Sequence, residues 1–172
     1  MMRVALLDRD GTINLKAPEG DYVKSPQEVT MIAGAAEAIG ALNAGGVRVA
    51  VVSNQRGIAR GRMTEADLAA VNAHIARLLS ARGAHVDLWL HCPHEGGSCT
   101  CRKPLPGMLL EALDRLDGDR SSSAMFGDSD SDIAAGRAAG IWTARIAAAE
   151  DPCADATAPS LRCAVEGWLA PA

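Results

Sequence analysis

Short apolar runs bounded by glycine, aspartate or polar residues recur along the chain and predict buried strands. They lie at residues 4–7, 47–52, 86–90, 124–126 and 141–146. Their length and mostly apolar character are typical of strands in a parallel sheet that is covered on both faces.

Helical patterns lie between these runs. Apolar residues spaced by three or four positions predict one helix around Ala35, Ile39 and Leu42. A longer helix is predicted from Thr64, which has Asp67 three residues later as in a capping box, to Gly83. A last short helix is predicted over residues 160–169, after an irregular surface segment at residues 148–160.

The alternation of strand and helix predicts an α/β fold with a doubly wound, Rossmann-like parallel sheet. We expect one domain over residues 1–172, because this length is usual for a single domain with a substantial core. In such a sheet, ligands bind outside the carboxyl ends of the strands. Candidate chemistry is therefore expected directly after each strand.

Composition narrows the class of partner. The formal net charge is −4, the 17 basic residues are scattered, and only five residues are aromatic. A basic patch for nucleic acid or an anionic membrane is therefore not expected. No signal-peptide pattern or long apolar run is present, so we expect a cytoplasmic monomer that acts on a small molecule.

Polar residues that can carry phosphoryl chemistry follow four of the strands. They are Asp8 and Asp10, Ser53, Asn54 and Gln55, Arg102 and Lys103, and Asp128 with Asp132. Carboxylates that meet at one sheet edge suit Mg²⁺, which prefers oxygen ligands. Phosphoryl transfer further needs a nucleophile, which can be a carboxylate, cationic groups at the transferring oxygens and a proton donor.

A dense cluster of cysteine and histidine precedes Lys103. Cys92, His94, Cys99 and Cys101 supply three thiolates and an imidazole, a set that suits tetrahedral structural Zn²⁺. Disulfides are the alternative, and an expected cytoplasmic location disfavours them. The segment Asp128-Ser-Asp-Ser-Asp132 is not a calcium loop, because Ile133 and Ala139 occupy the positions that require glycine and glutamate.

Four of these motifs in order resemble those of the haloacid dehalogenase superfamily of phosphatases. They are Asp8-x-Asp10-x-Thr12, Ser53-Asn54, Lys103 and Gly127-Asp128-x-x-x-Asp132. Asp-Arg-Asp-Gly-Thr-Ile-Asn, Ser-Asn-Gln-x-Gly-Ile-Ala-Arg-Gly and Cys-x-Cys-Arg-Lys-Pro-x-Pro-Gly-Met resemble the branch of histidinol phosphatases and heptose-bisphosphate phosphatases. The chain departs from the heptose enzymes at Ser129, where they often carry lysine, and at Ser53, where threonine is commoner.

The resemblance implies the superfamily fold and a role for each motif residue. About 40 residues separate the first two motifs and about 50 the next two, which is too few for a large cap domain. By the resemblance, Asp8 is the nucleophile, Asp10 is the general acid and base, and Ser53 and Lys103 hold the phosphoryl group. It further implies Mg²⁺ ligation by Asp8, Asp128 and the carbonyl of Asp10, support from Asp132, a structural zinc loop, and substrate contacts by Asn54, Gln55, Arg60 and Arg102.

The function implied is that of a Mg²⁺-dependent phosphatase that removes the 7-phosphate of D-glycero-D-manno-heptose 1,7-bisphosphate through an aspartyl phosphate. Histidinol phosphate and other small phosphomonoesters are alternative substrates. A phospho-accepting signalling domain is the non-enzymatic alternative. It fits less well, because its acceptor would follow a middle strand and it would have no use for Asp10 or for a zinc loop.

Overall fold

A computed structural model describes residues 2–170, which form a six-stranded parallel sheet. Met1 and residues 171–172 of the predicted domain lie outside the described residues. The strands are β1 (Val4–Leu7), β2 (Arg48–Asn54), β3 (Leu88–Cys92), β4 (Ala124–Gly127), β5 (Trp142–Ile146) and β6 (Ala156–Ala158). Their spatial order is β3-β2-β1-β4-β5-β6, and every neighbouring pair is parallel.

Five helices cover the two faces of the sheet. They are α1 (Ala35–Ala44), α2 (Glu65–Ser80), α3 (Gly107–Arg115), α4 (Asp130–Ala139) and α5 (Leu161–Leu169). Successive side chains of a strand point to opposite faces, so Leu7 packs with α1, α2 and α5, whereas Leu6 packs with α3 and α4. Burial on both faces explains why the strands appear in the sequence as apolar runs.

The structure confirms the predicted fold class and five of the predicted strands, and it refines several boundaries. β1 has the predicted bounds, whereas β2 and β3 continue to Asn54 and Cys92, so Ser53 belongs to a strand. The prediction of an irregular segment at residues 148–160 was wrong in part, because β6 pairs with β5 there. The short edge strand Ala-Thr-Ala carries little apolar signal of its own.

Two helices, α3 and α4, were not predicted from the sequence. Helix α3 buries Met108, Leu109 and Leu113, and α4 buries mainly small residues together with Ile133. The Ala and Gly positions of α4 give a weak apolar period. Both helices cover the face of the sheet opposite to α1 and α2.

The sheet order places the functional edge between β1 and β4. These strands are neighbours in the sheet. After β1 the chain adds β2 and β3 on one side, and it then adds β4, β5 and β6 on the other. Ligands of a doubly wound sheet usually bind in the crevice at this point of reversal. The segment between β1 and α1 contains one regular element, a short 3-10 helix at Pro26–Glu28. Within residues 2–170, no helix has the length and apolarity needed to span a membrane.

Candidate active site

The carboxylate of Asp8 lies at the end of β1 and is held by Lys103. The backbone N–H of Asp8 donates to the carbonyl of Phe126 on β4, which fixes the residue at the crevice. Lys103 Nζ donates to Asp8 Oδ1 at 2.8 Å and to the carbonyl of Val52 at 2.7 Å, and it lies 2.6 Å from Asp132 Oδ1. The first and third sequence motifs therefore meet as predicted, in a contact between residues 95 positions apart.

Asp128 and Asp132 complete a cluster of three carboxylates with Asp8. One oxygen from each lies within 4.8 Å of the others. Asp132 is fully buried, and Ser129 donates to its Oδ2 from both its backbone N–H and its hydroxyl, at 3.0 and 2.7 Å. Gly127, the last residue of β4, leaves room for this carboxylate because it has no side chain. A Cβ at this position would lie 2.4 Å from Asp132 Cγ.

The donor set of this cluster fits Mg²⁺. All the candidate ligands are oxygens, and Asp128 Oδ1 is buried without a hydrogen-bond partner among residues 2–170. A buried carboxylate oxygen without a partner is costly unless a cation or water satisfies it. The structure therefore brings together Asp8 and Asp128, which the resemblance implies as side-chain ligands of the metal, with Asp132, which it implies as a supporting residue.

The electrostatics of the cluster also favour an added cation. Burial raises the pKa of Asp8 to about 7; Lys103 acts in the opposite direction, while Asp132 and Asp10 raise the pKa further. Burial alone would lower the pKa of Lys103, but the carboxylates of Asp8 and Asp132 outweigh it and raise that pKa. A divalent cation beside Asp8 would stabilise the ionised carboxylate, which is the form that can act as a nucleophile.

Asp10 is anchored by donors on every side. Its Oδ1 accepts from Asn14 Nδ2 at 2.9 Å, and its Oδ2 accepts from Gln55 Nε2 at 2.9 Å. Arg9 Nη2 lies 3.0 Å from both oxygens, and Arg9 Nη1 donates to Asn72 of α2 at 3.1 Å. Arg9 is 1% exposed, so its guanidinium group is shielded from solvent and contacts this carboxylate and Asn72 of α2.

The end of β2 contributes Ser53 and Asn54 to the cavity, and Asn54 also supports Lys103. Ser53 Oγ, which accepts from Gln55 Nε2 at 2.6 Å, lines a cavity of about 140 Å³ together with Asp8, Asp10 and Lys103. Asn54 Nδ2 donates to the carbonyl of Lys103 at 2.9 Å, and the N–H of Lys103 donates to Asn54 Oδ1 at 3.1 Å. Asn54, predicted as a substrate contact, therefore also fixes the backbone of Lys103.

Arg60 and Arg102 lie against the cysteine-rich loop, outside the set of residues that line the carboxylate cavity. Arg60 Nε donates to Glu95, and Arg102 Nη1 donates to the carbonyl of His94 at 3.3 Å. The two predicted substrate contacts thus approach each other from different loops, and neither is buried.

The four predicted zinc ligands converge as well. Cys92 Sγ lies 3.5 Å from both Cys99 Sγ and His94 Nδ1, and Cys101 Sγ lies 3.4 Å from His94 Nδ1. A tetrahedral zinc site with usual bond lengths has edges of about 3.5 to 3.8 Å, so the spacing fits this metal. The three thiols of the cluster and the two remaining ones, Cys153 and Cys163, are free rather than disulfide-bonded.

Comparison with known proteins decides the family. A family model described as haloacid dehalogenase-like hydrolase matches residues 2–140, which is most of the chain. The chain belongs to this family. The resemblance stated from the sequence motifs is thereby confirmed.

Individual relatives of this haloacid dehalogenase-like hydrolase share one name. A D-glycero-beta-D-manno-heptose-1,7-bisphosphate 7-phosphatase of Pseudomonas aeruginosa is 42% identical over 77% of this chain and 74% of its own length. One of Pasteurella multocida is 38% identical over 82% and 79%. The crystal structure of D,D-heptose 1,7-bisphosphate phosphatase from B. bronchiseptica, complexed with magnesium and phosphate, has a TM-score of 0.89 and 32% identity, and the match covers 98% of each chain.

The hydrolase contains two charged site residues that sequence reasoning missed. Lys16 Nζ lies 2.6 Å from Asp128 Oδ2, and Arg9 holds Asp10. Arg9 had a signal in the sequence, since a charged residue between two functional aspartates at a buried strand end requires a partner. Lys16 lies in a loop without periodicity, and only the folded chain shows which carboxylate it reaches.

Proposed function

We propose that this hydrolase is a Mg²⁺-dependent phosphatase that removes the 7-phosphate from D-glycero-β-D-manno-heptose 1,7-bisphosphate. The observation that carries the proposal is the contact of the buried Lys103 ammonium with Asp8 in a small polar cavity that also contains Asp10 and Ser53. The names of relatives near 40% identity support the substrate and its anomer.

The residues supply each step of a two-stage displacement. Asp8 attacks phosphorus and forms an aspartyl phosphate while the bond from phosphorus to the sugar oxygen breaks. Asp10 donates a proton to the departing oxygen. It then accepts a proton from the water that attacks the aspartyl phosphate, as the bond from phosphorus to Asp8 breaks and inorganic phosphate leaves. Ser53 and Lys103 hold the phosphoryl oxygens through their hydroxyl and ammonium groups as charge redistributes.

Asp8, Asp128 and the backbone carbonyl of Asp10 would hold Mg²⁺. When bound, the cation neutralises the repelling oxygens of the carboxylates and of the phosphoryl group. Asp132 supports the site because it contacts the Lys103 ammonium group. Its carboxylate also accepts from the N–H of Ser129 and so caps the start of α4.

The cluster of Cys92, His94, Cys99 and Cys101 would hold Zn²⁺ in a structural role. Lys103 follows the last of these ligands by two residues, and Arg102 follows it directly. A bound zinc would therefore fix the loop that presents both cations, with Asn54 fixing it from the other side.

Arg60, Arg102 and Gln55 are proposed to contact the substrate beyond its reacting phosphate. Two arginines outside the carboxylate cavity can attract the second phosphate of a bisphosphate, since a guanidinium binds phosphate oxygens in pairs. The expectations of a single domain, a monomer and a cytoplasmic location stay predictions.

The position of cleavage tests this proposal. The purified protein with Mg²⁺ and the β-bisphosphate is expected to release one equivalent of phosphate and to leave the phosphate on the anomeric carbon, as followed by phosphorus NMR. Loss of the anomeric phosphate, or release of both phosphates at similar rates, would show that the proposed substrate orientation is wrong.

A further inference from the structure

Two lysines enter the carboxylate cluster, and they are held very differently. Lys103 is buried, with its side chain 2% exposed, and contacts Asp8, Asp132 and a backbone carbonyl. The side chain of Lys16 is 52% exposed, and its one ionic contact among residues 2–170 joins Nζ to Asp128 Oδ2 at 2.6 Å. Lys103 is therefore fixed in place, whereas Lys16 is free to leave.

The position of Lys16 overlaps with the proposed place of the metal. Asp128, the residue it contacts, is one of the three carboxylates whose oxygens lie within 4.8 Å of one another. Gly11 gives the lysine this access, because a Cβ at that position would lie 2.3 Å from Asp128 Oδ2 and 2.6 Å from Lys16 Cε. The Lys16 ammonium group thus binds the Asp128 carboxylate at a place where a divalent cation would also bind.

Charge balance makes the two cations competitors. When all three carboxylates are ionised, they face the ammonium groups of Lys103 and Lys16 and keep one negative charge in excess. A divalent cation added beside both lysines would reverse that excess, and like charges a few ångströms apart repel strongly in a partly buried site. Departure of Lys16 restores the balance.

The loop offers the lysine a place to go. Lys16 lines both the carboxylate cavity and a neighbouring cavity of about 230 Å³ formed by the loop of residues 16–23 with Asp10, Asn54 and Gln55. Lys16 is the one basic residue among those lining this second cavity, which also contains Glu19 and Asp21. The flexible stem of a lysine can turn between the two cavities without movement of the backbone.

We propose that Lys16 is an internal cation that holds the Asp128 carboxylate before Mg²⁺ binds and that Mg²⁺ binding displaces from it. Lys16 then lowers the affinity of the site for the metal. Removal of the lysine side chain frees Asp128 for Mg²⁺ and removes a like charge that repels the cation. The inference rests on the Mg²⁺ site of the proposed function.

The test is the dissociation constant of Mg²⁺ without substrate, measured by titration calorimetry at low, fixed ionic strength and constant pH. The variants are Lys16→Met, which removes the charge, Lys16→Arg, which keeps it, and Lys24→Met as a control for a lysine that pairs with Asp21 away from the carboxylate cluster. We expect Lys16→Met to bind Mg²⁺ about three- to fivefold more tightly than the wild type, the upper range for a half-exposed ion pair, and the other two variants to stay within about twofold.

Unchanged or weaker Mg²⁺ binding by Lys16→Met would overturn the inference, as would equal tightening in Lys16→Arg. If the wild type and Lys16→Met both fail to bind Mg²⁺, the metal site of the proposed function fails, and the inference fails with it. Wild-type binding without a difference between the variants would leave the proposed function intact and remove only the role of Lys16.

Discussion

At the scale of single residues, a buried aspartate at the end of β1 and a buried lysine from the loop between β3 and α3 form the centre of the candidate site. Their ammonium and carboxylate groups are 2.8 Å apart, and Asp132 contacts the same ammonium at 2.6 Å. Burial of such an ion pair costs desolvation free energy and adds little to the stability of the fold. A catalytic role therefore explains the buried pair better than a structural one.

Replacement of Asp8 tests the nucleophile. Asp8→Asn keeps the size of the side chain but provides an amide, which cannot attack phosphorus, so kcat is expected to fall by at least about a thousandfold. Phosphate release under saturating Mg²⁺ measures the effect. The matched control is Asp130→Asn, the same chemical change at an exposed residue, and retained activity in Asp8→Asn would rule out the mechanism.

Replacement of Arg9 tests the support of the general acid. Arg9→Lys keeps the charge but loses the fork that reaches both oxygens of Asp10 and Asn72 together, so kcat is expected to fall about tenfold. KM should change little, because Arg9 is buried beneath the cavity.

Steady-state kinetics and thermal unfolding of Arg9→Lys and of the exposed Arg82→Lys control distinguish this role from a purely structural one. A loss of stability without any change in kcat of the folded protein would contradict the positioning role.

At the scale of elements, the loop between β3 and α3 delivers Lys103 to the site. The loop contains Gly96 and Gly97 and little regular structure, and its geometry depends on the metal-ligand cluster and on Asn54. The zinc proposed at this cluster would therefore stabilise the loop.

Loss of the cluster should misplace Lys103. Cys101→Ser is expected to lower the zinc content well below about one per chain, to reduce kcat by at least about tenfold at saturating Mg²⁺, and to lower the unfolding temperature. Metal analysis with kinetics checks this, with the exposed Cys163→Ser as control. Full activity in zinc-free protein would contradict a structural role for the metal.

The capping box of α2 contributes to stability and not to chemistry. Thr64 Oγ1 accepts from the N–H of Asp67 at 3.1 Å, and Asp67 Oδ2 accepts from the N–H of Thr64 at 2.8 Å. Thr64→Ala should lower the free energy of unfolding by about 1 kcal/mol. Denaturant unfolding measures it against the exposed Thr30→Ala, and kcat/KM should stay unchanged; equal stability of both variants would contradict the role of the cap.

The same elements show what the sequence could predict. The strand β1 and the start of α2 follow from local signals, an apolar run and a capping box, and the structure confirms both. The strand β6 and the contact of Lys16 with Asp128 depend on partners that are distant in the chain, so no local pattern indicates them. The four motifs identified the site because each lies at or after the carboxyl end of a strand, whereas the contacts of Arg9 and Lys16 depend on the folded loops.

At the scale of the whole molecule, the order of the sheet gathers the site. Because β1 and β4 are neighbours at the reversal of winding, Asp8 and Asp128 meet although 120 positions separate them. The loops at this edge, rather than a cap domain, shape the cavity within the described residues. Under the proposed function, selection of the substrate depends on a few side chains outside the cavity, with Arg60 and Arg102 among them.

The most direct test of the account is a comparison of kcat/KM for the β and α anomers of D-glycero-D-manno-heptose 1,7-bisphosphate and for histidinol phosphate, all with Mg²⁺. The account predicts a preference for the β anomer over histidinol phosphate of at least about a hundredfold, or about 2.7 kcal/mol of transition-state discrimination. Equal or faster turnover of histidinol phosphate would contradict the proposed substrate, while leaving Asp8 and Lys103 as the centre of a phosphatase of different specificity.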